Sequence, residues 1–240
     1  MNTPTFLFER LNNDHFTRIV AFGSSNTERR IAGMHWFDCF ELACRTTFGP
    51  HTTCINSGRG GDTTADLLSR IERDCLAYHP HLAFLTVGGN DSNPDRGISP
   101  AVYRDNLSQI IEQIQACGCR PVLQTYYAVD TANLSPEHAL AFDQMMAIIR
   151  ELGNEKGCMV IDHLTRWERL RKSSYTIFRR LLIDPLHING AGNLVLGLDI
   201  ARAFSLQVPD APYFREAWTI QALLDELPVT EATLEVGSCG

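Results

Sequence analysis

Short apolar runs alternate along this chain with stretches whose apolar residues recur at helical spacing, and that alternation restricts the fold more than any other feature. The candidate strands are Arg18–Phe22, Thr52–Ile55, Leu82–Val87, Pro121–Thr125 and Met159–Ile161. Between them, Leu68, Ile71, Cys75 and Leu76 fall on one helix face. Leu107, Ile110, Ile111 and Ile114 mark a second helix, and Phe142, Met145, Met146, Ile149 and Leu152 a third. A late helix, about Gly190 to Phe204, would bury Leu194, Leu198 and Ala201. Parallel neighbours need a crossover long enough to hold a helix, so this order predicts parallel pairing. The expected fold is α/β: a three-layer α/β/α sandwich around a five-stranded, mostly parallel sheet, with right-handed crossovers.

With 240 residues, 44% of them hydrophobic, the chain can bury one full core. Residues 1–207 are expected to form the main domain. A composition shift at Val208-Pro-Asp-Ala-Pro212 sets off residues 208–240 as an appendage with a short helix (about Glu216 to Leu227) and a polar tail. Such an appendage either packs on its own domain or serves a partner or a lid. The net charge of -7 comes without any basic run, which excludes phosphate-tracking contacts and hence nucleic acid. Paired cations such as Arg29-Arg30 and Arg179-Arg180 read as solvated surface.

Glu9, Arg10 and Asp14 interrupt the apolar residues near the N-terminus, so no signal-peptide core is expected, and no stretch approaches the length of a membrane span. The eight cysteines form no Cys-x-x-Cys pair, and Cys117-Gly-Cys119 lacks zinc-ligand spacing. Reduced thiols in a cytoplasmic protein are the expectation, with no metal and no cofactor.

Ligands of parallel sheets bind at the carboxyl ends of the strands. Ser25 follows the first candidate strand, Gly61 the second and Asn90 the third, so all three should open onto one rim. An exposed serine at such a turn can be a nucleophile, although an ordinary helix cap is the plain alternative. The run Gly58-Arg-Gly-Gly-Asp-Thr63 opens a helix whose bare N–H groups could bind developing negative charge. It lacks the lysine of a nucleotide phosphate loop. Asn90, after two glycines, offers a side-chain amide donor. Asp184 and His187 stand three residues apart, the spacing of one helical turn, which would let the carboxylate fix the imidazole tautomer. His163, next to Asp162 after the fifth strand, is a rival base. Adjacent residues point apart in extended chain, so Asp162 is poorly placed to orient it.

Taken in order, Phe22-Gly-Ser-Ser-Asn-Thr27, Asn56-Ser-Gly-Arg-Gly-Gly-Asp-Thr63, Gly88-Gly-Asn-Asp91 and Asp184-Pro-Leu-His187 make the chain similar to the SGNH hydrolases of the GDSL esterase/lipase superfamily, from about Arg18 to Phe204. The resemblance implies a flavodoxin-like sandwich and a serine esterase. It implies Ser25 as nucleophile, Gly61 and Asn90 as oxyanion donors, and Asp184 and His187 as acid and base members of a triad. Ser24 departs from the aspartate that usually precedes the nucleophile, a residue that is structural in the turn. An α/β-hydrolase elbow would need a glycine where Thr27 stands. The absence of a long apolar lid segment favours short O-acyl groups on a carbohydrate or small metabolite over the longer chains of a lysophospholipase or acyl-thioesterase. A non-catalytic ligand-binding relative is the alternative from another class. A homo-oligomer is left open.

Overall fold

A computed structural model describes residues 2–13 and 15–227 of the chain; Cys239 and the polar tail lie outside the described residues. In chain order the elements are α1 (Thr3–Asn12), β1 (Thr17–Gly23), α2 (Trp36–Phe48), β2 (Thr52–Gly58), α3 (Thr64–Asp74), β3 (Leu82–Thr86), α4 (Pro100–Ala116), β4 (Arg120–Gln124), α5 (Pro136–Glu155) and β5 (Met159–Ile161). After them come α6 (His163–Ser173), α7 (Tyr175–Arg179), β6 (Leu182–Asp184), β7 (His187–Ile188), α8 (Gly190–Ala203) and α9 (Arg215–Glu226).

The main sheet has five strands in the order β2-β1-β3-β4-β5, all parallel, as the alternation of patterns predicts. The chain starts in the middle, at β1, moves outward to β2 and then crosses back to β3. That reversal opens a crevice at the carboxyl ends of β1 and β3. On one face α3, α4 and α5 pack side by side, and on the other α2, α8 and α9 do. The central strands are buried on both faces. Phe84 of β3 meets Trp36, Phe37 and Phe40 of α2 and Phe204 edge-on or tilted, while its neighbour Leu85 faces the opposite layer.

Several boundaries differ from the sequence reading for identifiable reasons. β2 runs to Gly58, three residues beyond the apolar run, because Asn56, Ser57 and Gly58 remain in register with Ala21, Phe22 and Gly23. The helix pattern around Ile71 stops at Asp74, and Cys75 is its C-cap, with Leu76 in a following 3-10 turn. α8 buries far more than the face expected of it, including Gly192, Val195, Leu196 and Gly197, because it is sandwiched between α2 and α9. α9 docks on α8 and α6 through Ile220, Leu224 and Gln221, whose amide donates to Val195 O at 2.9 Å. Among the described residues, no helix is long and apolar enough to cross a membrane.

The α2–α8 contact depends on a missing side chain. A Cβ on Gly197 would lie 2.4 Å from Cys39 Cβ and 3.1 Å from Trp36 O. Alanine would raise helix propensity by about 1 kcal/mol, but overpacking costs about 1–3 kcal/mol. Gly197→Ala is therefore expected to lower the urea midpoint with an unchanged m-value, a net loss of up to about 2 kcal/mol. A midpoint at or above the parent's would show that the two helices can part at no cost.

Candidate active site

β1 ends at Gly23, and the chain turns tightly, with the N–H groups of Thr27 and Glu28 both donating to Ser24 O at 3.0 Å. Ser25 stands in this turn, half-buried, and no helix follows at once. The loop runs on to His35, which caps α2. Ser25 is therefore not a helix cap. Ser24 is fully buried, and its hydroxyl lies 3.0 Å from the Tyr126 hydroxyl at the end of β4. Ser24 is thus tied to the loop after β4 through Tyr126.

Asp184 and His187 come from a part of the chain that the sheet does not include. They face each other across the β6–β7 hairpin, with Pro185 and Leu186 as its two-residue turn. The one-turn helical reading of Asp-x-x-His is thus corrected. Pro185 cannot donate within a helix and presets the turn's φ, and the Asp184 carboxylate accepts from Leu186 N at 2.9 Å, closing an Asx-type turn. The hairpin still brings the two side chains together: His187 Nδ1 lies 2.9 and 2.8 Å from the two Asp184 oxygens. Burial pushes the Asp184 carboxyl up, but the Leu186 N–H and the His187 ring outweigh it and hold it below the ordinary carboxylate range. An ionised carboxylate only accepts, so Nδ1 carries the proton. Nε2 is left with its lone pair, 2.8 Å from Ser25 Oγ. Such a chain can withdraw a serine proton while a carboxylate stabilises the imidazolium that results.

Gly61 and Asn90 lie past the ends of β2 and β3, the strands flanking β1. They are joined to each other's loops: Asn90 Nδ2 donates to Asp62 O at 2.8 Å, which fixes the amide and leaves it a second N–H. Gly61 has φ +85°, a left-handed conformation that favours glycine. Two of the N–H groups that open α3 are already engaged. Asp66 N is capped by Thr63 Oγ1 at 3.4 Å, and Thr64 N donates to Asp91 at 2.8 Å. Neither Gly61 nor Asn90 lines the cavity of about 230 Å³ beside Ser25, Asp184 and His187; its other walls include Arg30, Ile31 and Ile183.

His163 stands apart from this group. It opens α6 after β5, three strands from β1, or about 14 Å at ordinary strand spacing. It is 1% exposed, with Nε2 3.1 Å from Gln124 Oε1 and Nδ1 3.5 Å from Asp199 Oδ2. Asp162 is turned away toward Arg150 at 2.8 and 2.9 Å.

Three contributors escape a reading of the sequence. Tyr127 donates to Asn26 Oδ1 at 2.8 Å, and Asn26 Nδ2 donates to Leu186 O at 3.3 Å, tying the Ser25 turn to the hairpin. The available signal is that Tyr126 and Tyr127 directly follow a candidate strand, on the rim where Ser25 is sought. Asp91, held against α3 by Thr64, braces the Asn90 turn. Arg30 is the third. Arg29 pairs with Asp38 at the surface, and Arg30, exposed as the solvated-pair reading expects, also places an N–H 3.2 Å from His187 Nε2.

The model of the GDSL-like lipase/acylhydrolase family matches residues 21–195. The lipoprotein YqeF of Bacillus subtilis is 29% identical over 126 residues, 48% of this chain and 50% of that protein, so the match spans about half of that relative's length. An acetylxylan esterase of Geobacillus stearothermophilus is 22% identical over 162 residues, 64% of this chain and 71% of that one. A solved acetylxylan esterase from the same organism superposes with a TM-score of 0.70 at 18% identity, over 81% of this chain and 97% of that one, a likeness of fold. With the family's model covering most of the length, from β1 into α8, this chain belongs to the GDSL-like lipase/acylhydrolase family.

Proposed function

We propose that this chain is a serine esterase that works through an acyl-enzyme, with no cofactor. The hydrogen-bonded series Ser25–His187–Asp184, at 2.8 to 2.9 Å throughout, carries the reading. His187 takes the Ser25 proton as Oγ attacks the ester carbonyl, and Asp184 stabilises the imidazolium. His187 then gives the proton to the departing alkoxide. A water, deprotonated by the same ring, releases the acid. The oxyanion is held by the free amide N–H of Asn90 and the backbone N–H groups of Gly61 and Ser25.

Short acyl groups on a carbohydrate or similar small alcohol are the proposed substrates. The cavity of about 230 Å³ supports this, since pockets for larger ligands run from about 300 to 1,000 Å³. The likeness to an acetylxylan esterase points the same way. A series of 4-nitrophenyl esters from acetyl to dodecanoyl tests it: kcat/KM should be greatest at acetyl. A maximum at eight carbons or beyond would place the chain with the lysophospholipases and thioesterases. We read the whole of residues 1–207 as the catalytic unit, with α9 a docked addition. Cytoplasmic residence is supported by the free, deeply buried thiols of Cys39, Cys44 and Cys75, which burial pushes up to about 12.

Asn90→Ala is expected to lower kcat by about 10²–10³-fold, with a much smaller change in KM. The hydrogen bond to the oxygen strengthens as negative charge develops, so its loss falls on the transition state. A change confined to KM would assign Asn90 to ground-state binding instead.

A further inference from the structure

Arg30 makes a contact that a serine esterase does not need. Its guanidinium N–H lies 3.2 Å from His187 Nε2, while Ser25 Oγ lies 2.8 Å from the same atom. With the Nδ1 proton held by Asp184, Nε2 has one lone pair, which cannot fully accept from both donors. The arginine therefore competes with the serine for the base as long as nothing else draws it away.

Its other neighbour holds it weakly. Glu28 Oε2 is 3.5 Å from Arg30 Nε, with side chains 38% and 48% exposed, a geometry in which ion pairs contribute little. His35, also lining the cavity, is pushed down to about 4 by burial and stays neutral near neutral pH, so Arg30 is the standing positive charge among the residues of this cavity. On the far side of the serine turn a second guanidinium, Arg96, lies 4.0 Å from where a Cβ on Gly61 would be.

The position of Arg30 fixes which part of an ester it would meet. The leaving oxygen must come within hydrogen-bond reach of Nε2 to receive its proton. A group 3.2 Å from Nε2 therefore borders the alcohol portion, not the acyl portion. Building on the esterase reading above, we propose that Arg30 selects esters whose alcohol portion carries an anionic group, a carboxylate or a phosphate a few bonds from the ester oxygen, and that pairing with this group draws the guanidinium off Nε2 and frees the base for Ser25. Acylated acidic sugars and acylated sugar phosphates are the natural chemistries of this kind. No bond is made or broken by Arg30; it binds and withdraws.

The test uses the full chain with four acetates: phenyl acetate, 3-carboxyphenyl acetate, 3-acetoxyphenyl phosphate and 3-(trimethylammonio)phenyl acetate. The parent protein should turn over at least one anionic ester with kcat/KM about tenfold above phenyl acetate and disfavour the cationic one. Whether the carboxylate or the phosphate gives the larger ratio identifies which anion the site takes. Arg30→Gln should collapse the anionic-to-neutral ratio toward one, Arg30→Lys should restore part of it, and raising the salt concentration should shrink it in the parent but not in Arg30→Gln. A merely structural arginine would change all four esters alike and leave the ratios and their salt dependence intact. Equal ratios in the parent and Arg30→Gln, with phenyl acetate still hydrolysed, overturn the proposal and leave the esterase reading standing. No turnover of any ester overturns both.

Discussion

Replacing Ser25 with Ala is expected to lower kcat by about 10⁴–10⁶-fold, the range in which losing a nucleophile removes covalent catalysis and leaves only what binding and oxyanion donors supply. Folding should survive. The hydroxyl is half-buried and has one strong partner, His187 Nε2 at 2.8 Å, so the stability change should stay within about 1 kcal/mol. Circular dichroism and a urea midpoint check this. The parent protein, treated with a fluorophosphonate, should carry the adduct on the peptide containing Ser25, and Ser25→Ala should not label. Ser24 is the adjacent competitor, and geometry separates the two: its hydroxyl is fully buried against Tyr126, 3.0 Å away, with no base beside it. An adduct on Ser24, or near-parental turnover by Ser25→Ala, would remove Ser25 from the mechanism.

The parallel sheet is legible in the sequence because its signal is dense: each central strand is an apolar run, and the runs alternate with amphipathic patterns. Local composition fails where pairing or packing decides instead. Asn56, Ser57 and Gly58 look like loop but continue β2, because β1 supplies an edge in register. Gly192 and Gly197 weaken the α8 pattern, yet they are what lets the helix lie close against its neighbours. The site divides in the same way. Ser25, Gly61 and Asn90 are found by their positions after strands, since topology alone sends them to one rim. The Asp184/His187 pair is found by its spacing, but the element carrying it is not. A spacing of three fits a helical turn and a hairpin of two-residue turn equally, and only the pairing of β6 with β7 decides for the hairpin.

Long-range partners are the part that no local pattern carries. Tyr127 and Asn26 meet across 101 positions of sequence and Arg30 and His187 across 157, and only the closed fold makes them neighbours. The consequence is functional. The Ser25 turn and the β6–β7 hairpin have no backbone strand pairing between them, so their separation is set by side chains: Asn26 to Leu186, and Tyr127 bridging the two. A proton transfer over 2.8 Å is sensitive to that separation, which makes this small polar cluster the mechanical frame of the proposed triad.

His187→Ala should lower kcat/KM by about 10⁴-fold or more, whereas His163→Ala should leave turnover near the parent's and lower stability instead. Both histidines stand beside an aspartate, and both are near the ends of strands, so the sequence leaves either able to serve. Their surroundings decide. His187 Nε2 faces Ser25 Oγ at 2.8 Å, and its other nitrogen is fixed by an ionised Asp184. Asp184→Asn should also be severe, because an amide can hold the ring in the wrong tautomer and cannot stabilise the imidazolium. His163 is buried between Gln124 and Asp199, with Arg166, Trp167 and Gln221 also on that carboxylate. Removing it empties space and unpairs a buried amide, a loss of about 1–3 kcal/mol visible as a lower urea midpoint. The two variants should therefore separate on two axes: His187→Ala inactive at near-parental stability, His163→Ala active at reduced stability. If His163→Ala is inactive while fully folded and His187→Ala turns over normally, the base lies three strands away from where the hydrogen bonds put it, and the proposed triad is wrong.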